Sequence, residues 1–177
     1  LSDGVKKEFQ DECFAKIAAR IDLADLKHLI VNHTEPDHSG SIGELLRRAP
    51  HIVVHGTRPA LQFLSEQVNM DFNKHIVGEN DVLDLGNRKL RFIMAPFLHW
   101  PDTMWTYLEG EKVLFTCDGF GSHFAFPEGK ILASQQEVDF TGAVEYYFDK
   151  IMGPFKPKVR DALAKLEGLE LEMIATG

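Results

Sequence analysis

Apolar and polar positions follow a helical period at the start of the chain and then form short apolar runs. Over residues 4–21, apolar side chains recur every three or four positions, which predicts an amphipathic helix. The apolar runs 28–32 and 51–55 are short and predict buried strands. Helical spacing returns in 40–49 and 58–68, so the first third of the chain predicts strands that alternate with helices.

Two local signals mark boundaries of these elements. Thr57 precedes the helix predicted over 58–68 and can serve as its N-cap, and Pro59 falls in the first turn, where proline is tolerated. Farther along, the sequence EGEK at 109–112 predicts the turn of a β-hairpin.

The second half of the chain adds hairpins, a long loop, two helices and a final strand. In that order, the pattern predicts β-rich segments at 75–96 and 104–118, a loop at 119–136, helices at 138–152 and 157–167, and a strand at 169–177. This order predicts an α/β fold in which helices cover layered sheets, rather than a regular βαβ array.

Composition narrows the classes of protein to consider. The chain has 177 residues, 44% of them hydrophobic and 26% charged, as expected for one folded domain. The net charge of -8 argues against nucleic acid as a partner, because phosphate binding needs a basic surface. Cys13 and Cys117 do not form a disulfide framework, and no apolar stretch reaches the roughly 18 residues of a membrane span. We therefore expect a cytoplasmic protein without a membrane partner.

Potential metal ligands follow three of the predicted strands. The loop after strand 28–32 contains two histidines and two carboxylates, His33, Glu35, Asp37 and His38. His99 follows the β-rich segment 75–96, and Asp118 directly follows the apolar run that ends at Cys117. Sites in layered α/β folds assemble at the ends of strands, so we expect these side chains to converge.

A simpler interpretation of the first loop is helix capping. Asp37 or Ser39 can cap the helix predicted over 40–49. Capping explains an Asp and a Ser, but it gives no reason for His33 and Glu35. The additional residues His99 and Asp118 favour a metal site.

The type of ligand indicates the type of metal. Imidazoles and carboxylates without a thiolate suit iron, manganese or zinc. Five or six ligands exceed the needs of one tetrahedral ion, which favours a site for two metals. Asp118 can bridge such a pair because a carboxylate has two oxygens to share.

Four separated motifs resemble one known family. The sequences NHTEPDHSG (32–40), LHWPDTM (98–104), LFTCDGFGSH (114–123) and YYFDKIMGPFKPKV (146–159) are similar to those of flavodiiron proteins, also called A-type flavoproteins. The resemblance covers nearly the whole chain. It implies a metallo-β-lactamase-like αββα sandwich that holds two iron ions. Zinc hydrolases of this fold carry H-x-H-x-D-H, whereas Glu35 replaces the second histidine here.

The resemblance also implies a role for each candidate residue. His33, Glu35 and His99 would bind one iron, Asp37 would bind the other, and Asp118 would bridge the two. His38 would lie at the second iron. Tyr147 would sit near the open face of the site as a catalytic hydrogen-bond donor.

The resemblance implies an oxidoreductase that reduces O2 to water or NO to N2O. Electrons would come from FMN in a separate flavodoxin-like domain that is not in this chain, supplied by rubredoxin or a flavin reductase. The family pairs subunits in a head-to-tail homodimer. We further expect residues 1–177 to be a partial di-iron domain, without the family's N-terminal strands and its C-terminal end, with the last ligand histidine just after Gly177. We therefore expect this segment alone to be inactive.

Two alternative functions remain open on sequence grounds. The first is a di-iron sensor that binds O2 without reducing it. The second is a zinc-dependent hydrolase of the same fold, against which Glu35 counts. Two further roles are also open: Asp102 can orient a ligand histidine or cap the turn 100–103, and His123 can line the entrance of the site.

Overall fold

The fold consists of two β-sheets between two layers of helices. The computed structural model describes residues 1–127 and 129–177. Its strands are β1 (His28–Val31), β2 (Val53–Gly56), β3 (Asn73–Ile76), β4 (Val82–Asp84), β5 (Lys89–Met94), β6 (Met104–Glu109), β7 (Val113–Cys117) and β8 (Met173–Thr176). Its α-helices are α1 (Gln10–Ala18), α2 (Pro36–Ser39), α3 (Ile42–Arg48), α4 (Arg58–Val68), α5 (Thr141–Tyr147) and α6 (Lys156–Ala164). A π-helix, Phe148–Met152, extends α5 directly.

The two sheets differ in strand direction. Strands β1, β2 and β3 form a parallel sheet in that order. Strands β4 to β8 form the second sheet, which is antiparallel from β4 to β7 and ends with β8 parallel to β7. The hairpin predicted at 109–112 joins β6 to β7, and Gly110 adopts a positive φ of 89° in its turn.

Three clusters of buried apolar residues hold the layers together. The first packs α1, α3 and α4 against the parallel sheet through residues such as Phe14, Leu45 and Leu64. The second packs α5 and α6 against the other sheet. The third lies between the sheets, where Ile30 of β1 meets Phe92 of β5. The αββα sandwich implied by the family resemblance is therefore confirmed.

Several predicted boundaries are confirmed and others are wrong. Thr57 is the N-cap of α4, because its side chain accepts a hydrogen bond from the amide of Ala60. The helix predicted from residue 4 begins only at Lys7, as a 3-10 turn that leads into α1. Residues 2–5 instead bond to the loop and strand beside them, including Val5 N to Ser41 Oγ, so tertiary contacts override the helical spacing.

The capping interpretation of the first loop is also wrong. The segment 36–39 forms its own short helix, α2, and Glu35 occupies the N-cap position without a side-chain cap bond. Helix α3 starts later, at Ile42, and has no side-chain cap either. The Ser39 hydroxyl instead lies within hydrogen-bond distance of the carbonyls of Thr34 and Glu35 and of Gln67 Oε1, so its one proton bonds within the loop or to α4. Among the helices in the described part of the chain, none is long and apolar enough to cross a membrane.

Three histidines lie side by side across the parallel sheet, away from the predicted metal ligands. His28, His55 and His75 come from β1, β2 and β3, and both neighbouring pairs of ring centroids are 5.1 Å apart. His28 Nδ1 lies 3.0 Å from His55 Nε2. Burial of His55, together with the neighbouring histidines, lowers the pKa of its imidazole from 6.5 to about 4.

The lowered pKa of His55 predicts a loss of stability in acid. Between pH 6.5 and about pH 4, the unfolded chain binds a proton at this position and the folded chain does not, so the free energy of unfolding falls as the pH falls. We expect His55→Phe to lose less stability across this window than the wild type, measured by urea unfolding. The matched variant His51→Phe changes an exposed histidine and should keep the wild-type pH dependence. Identical pH dependence in all three proteins would contradict this account.

Candidate metal centre

The ends of three chain segments bring four potential metal ligands together. The loop after β1 carries His33 and Glu35, the loop between β5 and β6 carries His99, and Asp118 follows β7. Each of these side chains offers one nitrogen or oxygen atom, and these atoms all lie within 4.8 Å of one another. The convergence expected from the positions of the strands is therefore observed for these four residues.

Local backbone geometry aims Asp118 at this cluster. Cys117, the last residue of β7, has a positive φ of 42°, so the chain turns sharply where the strand ends. Thr116 Oγ1 donates to the carbonyl of Gly119 at 2.6 Å and closes the turn around Asp118. A side chain at Gly119 would collide with Trp105, because its Cβ would lie 2.9 Å from the indole nitrogen.

The distances within the cluster are those of ligands around a common centre. His99 Nε2 lies 2.9 Å from Glu35 Oε2, and His33 Nε2 lies 3.5 Å from the same oxygen. Asp118 Oδ2 lies 3.4 Å from His33 Nε2 and 3.5 Å from His99 Nε2. Ligands that each lie about 2.0–2.2 Å from one ion have separations of this size.

Two atoms of the cluster show that a cation fits it. His33 Nε2 and Asp118 Oδ2 are buried and find no hydrogen-bond partner among the residues that the structure describes. A buried polar group without a partner costs about 1–3 kcal/mol. A positive ion between these two atoms would satisfy a lone pair on each, so the donor set fits a metal better than it fits the protein alone.

Asp102 fixes the orientation of His33. The Asp102 carboxylate is fully buried and accepts from His33 Nδ1 at 3.2 Å, from Thr34 N at 2.8 Å and from Thr34 Oγ1 at 2.7 Å. Burial alone would raise the pKa of Asp102, but these donors outweigh burial and lower the pKa. Because Nδ1 carries the proton, Nε2 presents its lone pair to the cluster.

Of the two roles that the sequence left open for Asp102, orienting a histidine is therefore the observed one. The part played by Thr34 was missed by the sequence reasoning. Its amide and hydroxyl both bond to Asp102, and its position between His33 and Glu35 was the only signal for it.

His38 and Asp37 lie on the other side of Asp118. His38 Nε2 donates to Asp118 Oδ1 at 3.0 Å, whereas Asp118 Oδ2 faces His33 and His99. Burial disfavours the charged form of His38, but the Asp118 carboxylate overrides burial and raises the pKa of His38 to about 9. Asp37 is half-exposed, and its Oδ1 lies 3.8 Å from His38 Nε2. The two carboxylate oxygens of Asp118 thus face two separate groups of potential ligands.

Tyr147 and His123 line the same cavity as the cluster. This cavity has a volume of about 280 Å³ and is also lined by Glu35, His99 and Asp118. The Tyr147 ring is buried and meets the ring of His123 edge-on, with 4.9 Å between centroids. Burial and the charge of Asp118 raise the pKa of Tyr147, so its phenol stays protonated. The position expected for His123 at the cavity wall is observed.

The whole chain, residues 1–177, matches the model of the ODP family of beta-lactamases. It is 41% identical over 176 residues to the type A flavoprotein fprA of Rhodobacter capsulatus. The aligned region covers 98% of this chain and 40% of that protein. It is 37% identical over 183 residues to the anaerobic nitric oxide reductase flavorubredoxin of Klebsiella pneumoniae, and the aligned region covers 99% of this chain and 37% of that protein. The chain thus spans less than half the length of these relatives.

Two solved structures share the fold closely. The flavodiiron protein from Giardia intestinalis superposes with a TM-score of 0.93 at 30% identity, over 99% of this chain and 43% of that one. The rubredoxin oxygen:oxidoreductase from the anaerobe Desulfovibrio gigas gives a TM-score of 0.91 at 26% identity, over 99% of this chain and 44% of that one.

Replacing Asp102 tests its role in holding His33. Asp102→Asn keeps the shape but exchanges one acceptor oxygen for an amide donor, so His33 loses the bond that fixes its proton on Nδ1. We expect metal affinity to fall about 10–100-fold while the fold is kept. Chelator competition measures the affinity, and Asp71→Asn on the exposed surface is the matched control. Wild-type affinity in Asp102→Asn would show that the bond serves the fold alone.

Replacing Asp118 tests whether one carboxylate serves both groups of ligands. Because its two oxygens face opposite sides, Asp118→Ala should abolish all metal binding rather than reduce it by half. Metal per chain after loading and desalting is the measurement, with Asp71→Ala as the control and circular dichroism to confirm folding. Retention of wild-type metal content would refute a shared carboxylate.

Proposed function

The chain belongs to the ODP family of beta-lactamases, and from that premise we propose that residues 1–177 form the di-iron domain of a flavodiiron reductase of O2 or NO. One observation supports the proposal most strongly. Glu35 lies among the ligands, within 2.9 Å of His99 Nε2 and 3.5 Å of His33 Nε2, where a zinc hydrolase of this fold has a histidine. A hard, anionic oxygen at this position favours iron in its higher oxidation states.

In this proposal each ligand has a definite place. His33, Glu35 and His99 would hold one iron, and Asp37 would hold the other with His38 on the same side. Asp118 would serve both groups, in keeping with its two oxygens that face His33 and His38. When bound, an iron pair would supply a binding place for a diatomic gas and two electrons towards its reduction, and FMN would supply the rest.

The chain's own residues then set the conditions around that pair. Asp102 and Thr34 hold the His33 ring so that its Nε2 lone pair faces inward. Trp100 packs edge-on against His33, with 5.1 Å between ring centroids, and shields it from solvent. Tyr147, whose raised pKa keeps its hydroxyl protonated, serves as a hydrogen-bond donor in the cavity.

Electrons in this proposal reach the site from FMN in a separate flavodoxin-like domain. A head-to-tail homodimer would bring the flavin of one subunit to the metal centre of the other. Rubredoxin or a flavin reductase would reduce the flavin. The name of the Desulfovibrio gigas protein, a rubredoxin oxygen:oxidoreductase, and that of the Klebsiella pneumoniae flavorubredoxin support this class of donor.

Metal content and gas consumption test the function together. We expect the purified protein to contain iron, and the full-length protein with its flavodoxin-like domain to consume O2 or NO when its flavin is reduced. His99→Ala should abolish consumption, because it removes a proposed ligand, whereas the exposed control His51→Ala should not. Stoichiometric zinc with no iron would favour a hydrolase. Iron that binds O2 without turnover would favour a sensor, and either result would refute the reductase.

A further inference from the structure

A second cavity lies directly behind the metal-ligand cavity. Its volume is about 180 Å³, and Asp118 and Tyr147 line both cavities, so the two are neighbours across these side chains. The rest of its wall is apolar, and includes Leu98, Val144, Phe148, Met152, Val159 and Leu163. We refer to it as the apolar cavity. Phe120, which is 47% exposed, and Leu163, which is 42% exposed, also line it, so the apolar cavity opens to solvent on that side.

The loop between β5 and β6 and the helices α5 and α6 supply much of the wall of the apolar cavity. Leu98 comes from the loop that carries His99, Val144 from α5, and Val159 from α6. The π-helix Phe148–Met152 contributes to both cavities, because Phe148 and Met152 line the apolar one and Ile151 lines the other. Such π-helical turns are rare and occur frequently at functional sites.

The lining of the apolar cavity has few groups that can form hydrogen bonds to water. Among its described lining residues, the polar side chains are Asp118 and Tyr147 on the shared wall and Trp105. Outside the shared wall, Trp105 supplies one polar side-chain atom among these described residues, fewer than the two to four partners that hold an ordered water, whereas apolar cavities bind molecules such as xenon. The space therefore suits a small uncharged molecule with little or no polarity.

Trp105 supplies one hydrogen-bond donor to this wall. The residue is 1% exposed, and its indole nitrogen has no hydrogen-bond partner among the residues that the structure describes. Gly119, which also lines the cavity, leaves the space beside that nitrogen free of a side chain. An unpaired buried donor costs stability, so a ligand with weak acceptor atoms would find a partner here.

We infer that the apolar cavity takes up the diatomic gas and delivers it past Tyr147 and Asp118 to the metal-ligand cavity. This inference rests on the proposed function, since it names the route by which that substrate arrives. The metal-ligand cavity is lined by charged and polar groups, including Glu35, Asp37 and His38, and suits water and protons. Two neighbouring cavities of opposite polarity thus separate the path of the gas from the path of the protons.

Xenon is the first probe, because it binds to apolar cavities without any chemistry. Crystals of the metal-loaded protein under xenon pressure should show a xenon site between Val144, Met152 and Val159. Val144→Phe should abolish that site by filling the space, whereas Val138→Phe, the same change at an exposed valine, should keep it. Absence of xenon from the apolar cavity of the wild type would overturn the inference.

Kinetics provide the second test. Val144→Phe should raise KM for the gas and lower kcat/KM about tenfold, the size of effect that one steric change in an apolar pocket causes, while kcat and metal content stay unchanged. Val159→Phe fills the same cavity from α6 and should do the same if Val144→Phe fails to fold. Wild-type kcat/KM in a folded, filled variant would overturn the route. A wild type that binds xenon but does not consume O2 or NO would instead refute the reductase, because xenon binding needs no turnover.

Discussion

A buried carboxylate surrounded by imidazoles is the interaction on which the rest of this site depends. Asp118 is nearly buried, which by itself would raise the pKa of its carboxyl group. The hydrogen bond from His38 and the positive charge of that imidazole reverse that effect and hold the pKa well below its usual range. The site therefore needs positive charge beside Asp118. Protons on histidine provide it in the metal-free chain, and metal cations can replace them.

The residues around Asp118 come from loops at the ends of both sheets. His33 and Glu35 follow a strand of the parallel sheet, whereas His99 and Asp118 follow strands of the second sheet. Apolar contacts between the sheets, such as Ile30 with Phe92, set their separation. Asp102 then links the two sides, because it lies in the β5–β6 loop and bonds to His33 and Thr34 after β1. The packing between the sheets and the bonds of Asp102 thus together position the potential metal ligands.

The sequence was sufficient to predict the elements with strong local signals and the convergence of His33, Glu35, His99 and Asp118. Thr57 with Pro59 marked the start of α4, and the density of ligands after β1 pointed to a metal site. The local sequence could not predict contacts between distant segments. Val5 lies outside the helix because its amide donates to Ser41 Oγ, and the Ser39 hydroxyl lies within hydrogen-bond distance of the Thr34 carbonyl instead of capping α3. The apolar cavity was equally invisible, since its wall combines residues from Leu98 to Leu163 that meet only in the folded chain.

The central claim is that His33 Nε2 and Asp118 Oδ2, which lack partners in the described protein, are metal ligands. Anomalous diffraction from crystals of the iron-loaded protein, recorded on both sides of the iron absorption edge, tests it most directly. The account predicts two iron peaks, one about 2.0–2.2 Å from His33 Nε2 and Asp118 Oδ2 and the other beside Asp118 Oδ1. A map without iron at these atoms, or with iron only elsewhere on the protein, would contradict it.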